Sequence, residues 1–272
     1  MGTQRTAKPK EDHRLEFKKA IAKAKNTSKD AFFTWFDGGQ NTDACFVKGA
    51  WDFAMYIAPF LFLHIKEPEQ KTVLEIGYGG GRVLSAAAQY FKRAIGIDIH
   101  ECKNLVIEEL KKRGISNVML TQTDGKNIPI RDNSVDVVYS FIVLQHVQKI
   151  EIFESYIREA SRVLKPNGVA VLYFGRYCPF SLNKKSKLLY RLDDLLEKLI
   201  LRKGYKKIES PVNCINLIVS KEYVKKISKE SSFSVIDEMP SYKTDYKGNK
   251  IFGLQNGLVL KKSTLLKKYN GT

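Results

Sequence analysis

Cysteine is scarce in this chain. Four occur in 272 residues, Cys45, Cys102, Cys178 and Cys214, and no two form a C-x-x-C pair. Nothing there supports a zinc ribbon, a redox pair or a disulfide framework, and free thiols in a reducing cytoplasm are the plain reading. Long apolar runs are missing too: no stretch approaches the length of a membrane span. The opening MGTQRTAKPKEDHR has no apolar signal segment. It fits the loose acylation pattern M-G-x-x-x-S/T through Gly2 and Thr6, a short match that reads as coincidence. Acids are also in short supply, 29 against 46 Lys and Arg, for a net charge of +17. Such a surplus favours an anionic partner: nucleic acid, a phospholipid surface or a phosphorylated substrate. Genome base bias also enriches lysine, so charge alone does not choose among them. The expected location is cytoplasmic, with peripheral membrane contact left open.

What the chain does have is 43% hydrophobic residues, enough for one full core with an elaboration. Residues 13–25 predict a helix with Leu15, Ala20 and Ile21 on one stripe. Residues 32–40, FFTWFDGGQ, are aromatic and then glycine-rich. Residues 44–66 predict one long apolar helix, open to interruption at Pro59. From residue 72 short apolar strands alternate with amphipathic helices. Strands are expected at VLEIGYG, AIGIDI (94–99), NVMLTQTD (117–124), VDVVYSF (135–141) and GVAVLYFG (168–175). This alternation means βαβ units and a mostly parallel sheet. After residue 175 it pauses for a basic amphipathic segment. It resumes with the helix KEYVKKISKES, the strand FSVIDEM, a turn-rich SYKTDYKGNK and a last strand, GLVLKK. The expected organisation is an N-terminal helical extension or lid (1–60), a core (61–175), a basic helical insertion at the sheet's carboxyl edge covering the acceptor site (176–215), and a C-terminal helix with strands completing the sheet (216–272).

The stretch VLEIGYGGGR (73–82) carries the chemistry. Ligands of doubly wound sheets bind at the carboxyl ends of the strands. A dinucleotide fingerprint starting at Gly77 needs a third glycine at position 82, which is Arg82. A phosphate loop ending in G-K-S/T is absent as well. What stands there is E-x-G-x-G-x-G: Glu75, Gly77, Gly79, Gly81. An acid follows at Asp98, then Thr123-Asp124-Gly125, then SVDVVYSFIVLQHV (134–147) and VLKPNGVAVLYF (163–174). Singly, the glycine turn reads equally as structural, Asp98 as a helix cap, Asp124-Gly125 as a turn and Asp136 as a solvent-facing residue.

Taken in order and at these intervals, the pieces resemble the class I S-adenosylmethionine-dependent methyltransferases over roughly residues 60–175. The resemblance implies a Rossmann-like α/β fold, a doubly wound seven-stranded sheet with an antiparallel last strand. It implies S-adenosylmethionine as cofactor, bound by Glu75, Gly77, Tyr78, Gly79, Gly81, Asp98, Ile99, Asp124, Gly125, Ser140, Phe141 and Gln145. Glu75 would face the cofactor's ammonium group and Asp98 its ribose hydroxyls. Some quinone-pathway relatives hold a metal with an E-x-x-E-H arrangement. Here Ile142 and Gln145 replace those acids, so no metal is expected.

His146, just after the fourth strand, is the candidate catalytic base; it reads equally as a packing or capping residue. Trp35 is the candidate for an exposed lid aromatic, because Gly38-Gly39 follows and could hinge it, and Tyr177 is a second candidate for substrate binding. YSFIVLQHV looks like the small-molecule branch of the family. The expected acceptor is therefore a hydroxyl or amine of a small molecule, sugar or lipid-linked glycan, with an anionic group.

Two other readings stay open. One is an RNA or protein methyltransferase. Between residues 182 and 207 nine Lys and Arg face three acids, and such a stripe could track phosphates. The same stripe could lie on an anionic membrane over its leucines. It could also dock its leucines on the domain and leave its lysines in water. The other reading is a SAM-fold subunit that has lost catalysis.

Overall fold

The computed structural model describes residues 12–245 and 247–264. The Gly2 and Thr6 pattern lies outside them. Five parallel strands form the centre in the order β3-β2-β1-β4-β5. They are β1 (Thr72–Ile76), β2 (Arg93–Asp98), β3 (Val118–Gln122), β4 (Val135–Ser140) and β5 (Leu164–Gly175). The final strand β9 (Lys250–Lys262) runs antiparallel beside β5, and β8 (Phe233–Thr244) pairs antiparallel outside it. These seven strands are the expected sheet.

Parallel strands are covered on both faces, so alternate residues feed two cores. Val73, Val137, Tyr139, Val171 and Tyr173 pack with α3 (Thr42–Asp52), α5 (Arg82–Ala88) and α6 (Lys103–Lys112). Leu74, Val138, Ala170 and Leu172 pack with α7 (Ile150–Val163) and α9 (Lys221–Glu230).

The structure corrects four local expectations. The stripe of α1 (His13–Thr27) that turns inward is His13, Phe17 and Ile21, each four residues apart; Leu15 is 44% exposed. The apolar helix over 44–66 is broken. A π-turn at Phe53–Ile57 separates α3 from α4 (Ala58–Leu61), with the Ala58 N–H donating to Phe53 O. Pro59 has no N–H to continue an α-ladder, and the wider turn absorbs the defect. In the turn-rich 241–250, residues 241–244 and Lys250 are strand. Between them the Asp245 carboxylate accepts from the Lys247 and Asn249 N–H groups.

The insertion is the fourth. It holds a helix, α8 (Lys187–Ile200), and also a strand, β6 (Tyr205–Lys207), which pairs antiparallel with β7 (Leu217–Val219) just beyond it. β7 meets β5 at Gly175, beyond the last β4 pairing at Leu172. The leucine face of α8 does not dock on the domain. Its acids do: Asp193 accepts from the Phe180 and Ser181 N–H groups, and Glu197 from those of Tyr177 and Lys221. Those backbone donors are best satisfied by carboxylates, and this turns the leucines outward.

The N-terminal helices are seated on the sheet by α3 crossing α5. Gly49 is the contact point: a Cβ there would lie 2.4 Å from the Arg82 carbonyl oxygen. Gly49→Ala should therefore destabilise the fold. Overpacking costs about 1–3 kcal/mol, against about 1 kcal/mol returned by helix propensity. Urea unfolding should show a lower midpoint at unchanged m; an equal or higher midpoint would mean α3 does not sit there.

Candidate active site

The carboxyl ends of β1, β2 and β4 open into a cavity of about 490 Å³. That lies within the usual range for small-molecule sites, roughly 300–1,000 Å³. Its base is the glycine loop after β1, where Gly77, Gly79 and Gly81 all have positive φ. Gly79 is held from both sides by the end of β2. Its N–H donates to Asp98 Oδ2 at 2.8 Å, and its carbonyl accepts from His100 Nε2 at 2.9 Å. His100 Nδ1 accepts from the Cys102 N–H, which fixes the tautomer. The space a Cβ would need at Gly79 is filled by the Phe36 ring, 2.8 Å away. Phe36 follows α2 (Lys29–Trp35), so the aromatic run packs directly on the loop. Phe32 and Phe33 are core, while Trp35 and Phe36 line the cavity.

Glu75 is buried and lines the cavity; its carboxylate accepts from the Tyr139 hydroxyl at 3.0 Å. Burial pushes its carboxyl up to about 8, with Tyr139 and the nearby Arg82 charge opposing. At neutral pH it is mostly protonated. Tyr78 is 2% exposed, lines the cavity, and its hydroxyl has no hydrogen-bond partner. Arg82 lies at the cavity edge, but Asp52 and Asp37 hold its guanidinium.

Ile99, Gly125 and Phe141 also line the cavity. Asp124, Ser140, Gln145 and Tyr177 do not. The Asp124 carboxylate closes its own turn on the Lys126 and Asn127 N–H groups. The Ser140 hydroxyl donates to Ile76 O between strands, and the Gln145 carbonyl accepts from Asn216 and Leu217. The Tyr177 N–H serves Glu197.

His146 does line the cavity, with Phe17 beside it and Trp35 against Phe17. Its Nδ1 donates to Cys214 O at 2.6 Å, which leaves Nε2 as the acceptor nitrogen. Burial holds the imidazole below its usual range. The insertion reaches the cavity through Lys207 and Asn213, and Asn213 donates to Trp35 O; α8 contributes nothing.

Sequence reasoning missed His13, Phe17, Arg82 and Ile142 among the lining residues. The i, i+4 spacing of 13, 17 and 21 was a usable signal. Ile142 was invisible: it has φ of 60°, an outlier for a β-branched residue.

A methyltransferase-domain family model matches residues 74–172. Residues 74–172 are a class I S-adenosylmethionine-dependent methyltransferase domain. YcgJ of Bacillus subtilis, an uncharacterized methyltransferase, is 29% identical over 123 residues, 44% of this chain and 47% of that one. The chain spans less than half the length of the curated relatives it matches. The fold is similar to a SAM-dependent methyltransferase of Methanosarcina mazei, with a TM-score of 0.54 at 20% identity over 75% of this chain and 97% of that one. It is also similar to a chain from the complex of the Haloferax volcanii Trm112 methyltransferase activator with a methyltransferase, with a TM-score of 0.56 at 15% identity over 93% and 98%.

The methyltransferase domain's lining residues fit its cofactor, S-adenosylmethionine. An acid held neutral by burial gains its charge when a cation arrives, and the orphaned Tyr78 hydroxyl has a donor to offer. Asp98 has lone pairs left for ribose hydroxyls, Gly79 lets the backbone approach, and Ile99 and Gly125 would flank the base. Among the described residues no group of three or more His, Cys, Asp or Glu side chains is arranged to hold a metal.

Two outcomes are expected. Asp98→Ala removes charge-assisted hydrogen bonds worth about 1.5–3 kcal/mol. Titration calorimetry should show cofactor affinity falling roughly ten- to hundredfold; a loss under about twofold would place the ribose elsewhere. The second concerns Glu75. Free protein binds the proton up to about pH 8, while a bound ammonium favours the carboxylate, so binding expels a proton. Affinity should rise with pH, up to about tenfold per unit, between roughly pH 6 and 7.5, below the titration of the cofactor's own amino group. Folding stability without cofactor should fall across the same range, because the folded state holds the extra proton. Glu75→Gln should flatten both slopes; an unchanged slope in that variant would exclude Glu75 as their source.

Proposed function

We propose that the chain transfers a methyl group from S-adenosylmethionine to a hydroxyl of a small molecule, sugar or lipid-linked glycan carrying an anionic group. The observation that carries this reading is His146. Its Nδ1–H is spent on Cys214 O, so Nε2 carries the ring's lone pair on the cavity wall, with the Gln145 side-chain amide 3.4 Å from it, and burial disfavours the charged ring. A hydroxyl nucleophile needs such a base, whereas an amine needs only to be unprotonated. The cofactor supplies a methyl group on an already activated sulfonium. The protein's own work is to position the acceptor, exclude water and take the acceptor's proton at Nε2.

Phe17, Trp35 and Ile142 offer apolar contact beside His146, and Lys149 and Lys207 line the same cavity with positive charge. An anionic small acceptor matches that combination. A nucleic acid would instead need a basic track running along the surface, whereas here the two lysines stand at a cavity lined by helix α1 and the 207–213 loop.

The test is to incubate the protein with methyl-labelled cofactor and fractionated cell extract. Label should enter the low-molecular-mass or lipid-extractable fraction. His146→Ala should slow incorporation by about 10²–10⁴-fold, as loss of a general base does, with cofactor affinity unchanged. Label in RNA or protein would overturn the acceptor class. Full activity in His146→Ala would remove the base.

A further inference from the structure

The outward face of α8 has no role in the cavity. Leu188 (75% exposed), Leu195 (59%) and Leu199 (63%) stand on it, with Leu192 and Ile200 also exposed. Monomeric proteins rarely leave so regular an aliphatic stripe in water. The charges on the helix are sorted. All three acids serve the protein: Asp193 and Glu197 accept backbone N–H groups, and Asp194 pairs with Lys221 at 2.7 Å. The exposed charged positions on and beside the helix are Lys187, Arg191, Lys198, Arg202 and Lys203, all basic. The outward face is therefore aliphatic and cationic, with every acid turned away.

We propose that α8 is a membrane-surface helix, which seats the protein on anionic phospholipid with its leucines in the headgroup–acyl boundary and its Lys and Arg among the headgroups. An amphipathic helix with a leucine face rimmed by basic residues has this as its matching environment. Charge complementarity decides the occupant. A second copy would bring the same basic rim against itself, on a chain of net charge +17. Nucleic acid would satisfy the cations but leave five aliphatic side chains in water. The bilayer surface meets both needs at once. Among the described residues no helix is long and apolar enough to cross a membrane, so the contact is peripheral. The inference does not depend on which acceptor is methylated.

The experiment is co-sedimentation of the full chain with vesicles of phosphatidylcholine, alone and with phosphatidylglycerol added. Binding should be strong only with the anionic lipid. Leu188→Gln/Leu195→Gln/Leu199→Gln should cut partitioning at least tenfold while leaving melting temperature and cofactor affinity unchanged, because these side chains are exposed. Arg191→Glu/Lys198→Glu should do the same. A single Leu195→Trp should give a blue-shifted emission on anionic vesicles. Undiminished binding by the leucine triple variant, with no blue shift, would reduce the contact to the generic attraction of a basic protein and overturn the proposal. A dimer that the triple variant dissolves would reassign the face to a second copy. Binding to an acidic protein or to RNA that the triple variant loses, without vesicle binding by the wild type, would reassign it to that partner.

Discussion

The clamp on the Gly79 peptide is the constraint on which the rest of the site depends. Asp98 takes its N–H and His100 donates to its carbonyl, so the end of β2 sets the position of the loop after β1. A loop held on both sides cannot shift to admit a side chain, and Phe36 occupies the space that would require. The aromatic segment before the sheet is thus part of the binding surface, packed on the glycines rather than hanging over them. Trp35 lies beside it and is tied to the insertion through Asn213. Three regions distant in sequence, residues 35–36, 77–81 and 213–214, are joined by a few polar bonds and one ring.

The electrostatics of the cavity follow from burial. Glu75 is held protonated, His146 is held neutral, and Arg82 is spent on Asp37 and Asp52. At Glu75 the interior waits for a cation without presenting a fixed anion. Such an arrangement couples cofactor charge to proton loss. It also keeps the base nitrogen of His146 unprotonated near neutral pH.

Much of this was legible in the sequence. The glycine loop, Asp98 and the βαβ alternation name their places because backbone needs and hydrophobic periods are local. Gly79 and Asp98 both line the cavity, and Asp98 also serves the loop itself, which the sequence did not announce. Asp124 takes the turn reading: its carboxylate closes the turn before Asn127 and stays out of the cavity lining. Tyr177 and Gln145 lay near the right strand ends, but their partners, Glu197 and residues 216–217, are set by the insertion's path. His13 and Phe17 were hidden by reading α1 from its aliphatic residues alone. No local signal announces the left-handed backbone at Ile142 or the tautomer of His146, which is set by a carbonyl 68 positions away.

The insertion shows why hydrophobic pattern alone misplaces a helix. The periodicity of α8 says that one face is apolar and the other polar; it does not say which is inside. The deciding groups are the backbone N–H donors of residues 177, 180, 181 and 221, which lie beneath the helix and which leucine cannot satisfy. An unmet buried donor costs about 1–3 kcal/mol, so a set of them outweighs the gain from covering a few leucines that can find another apolar surface. The same choice separates two roles within residues 176–215. The 207–214 loop brings Lys207 and Asn213 to the cavity and holds His146 through the Cys214 carbonyl, while the helix is left facing outward. The chain's positive charge consequently says little about the cavity floor, where Glu75 is held neutral and Arg82 is paired, and more about the outer surface.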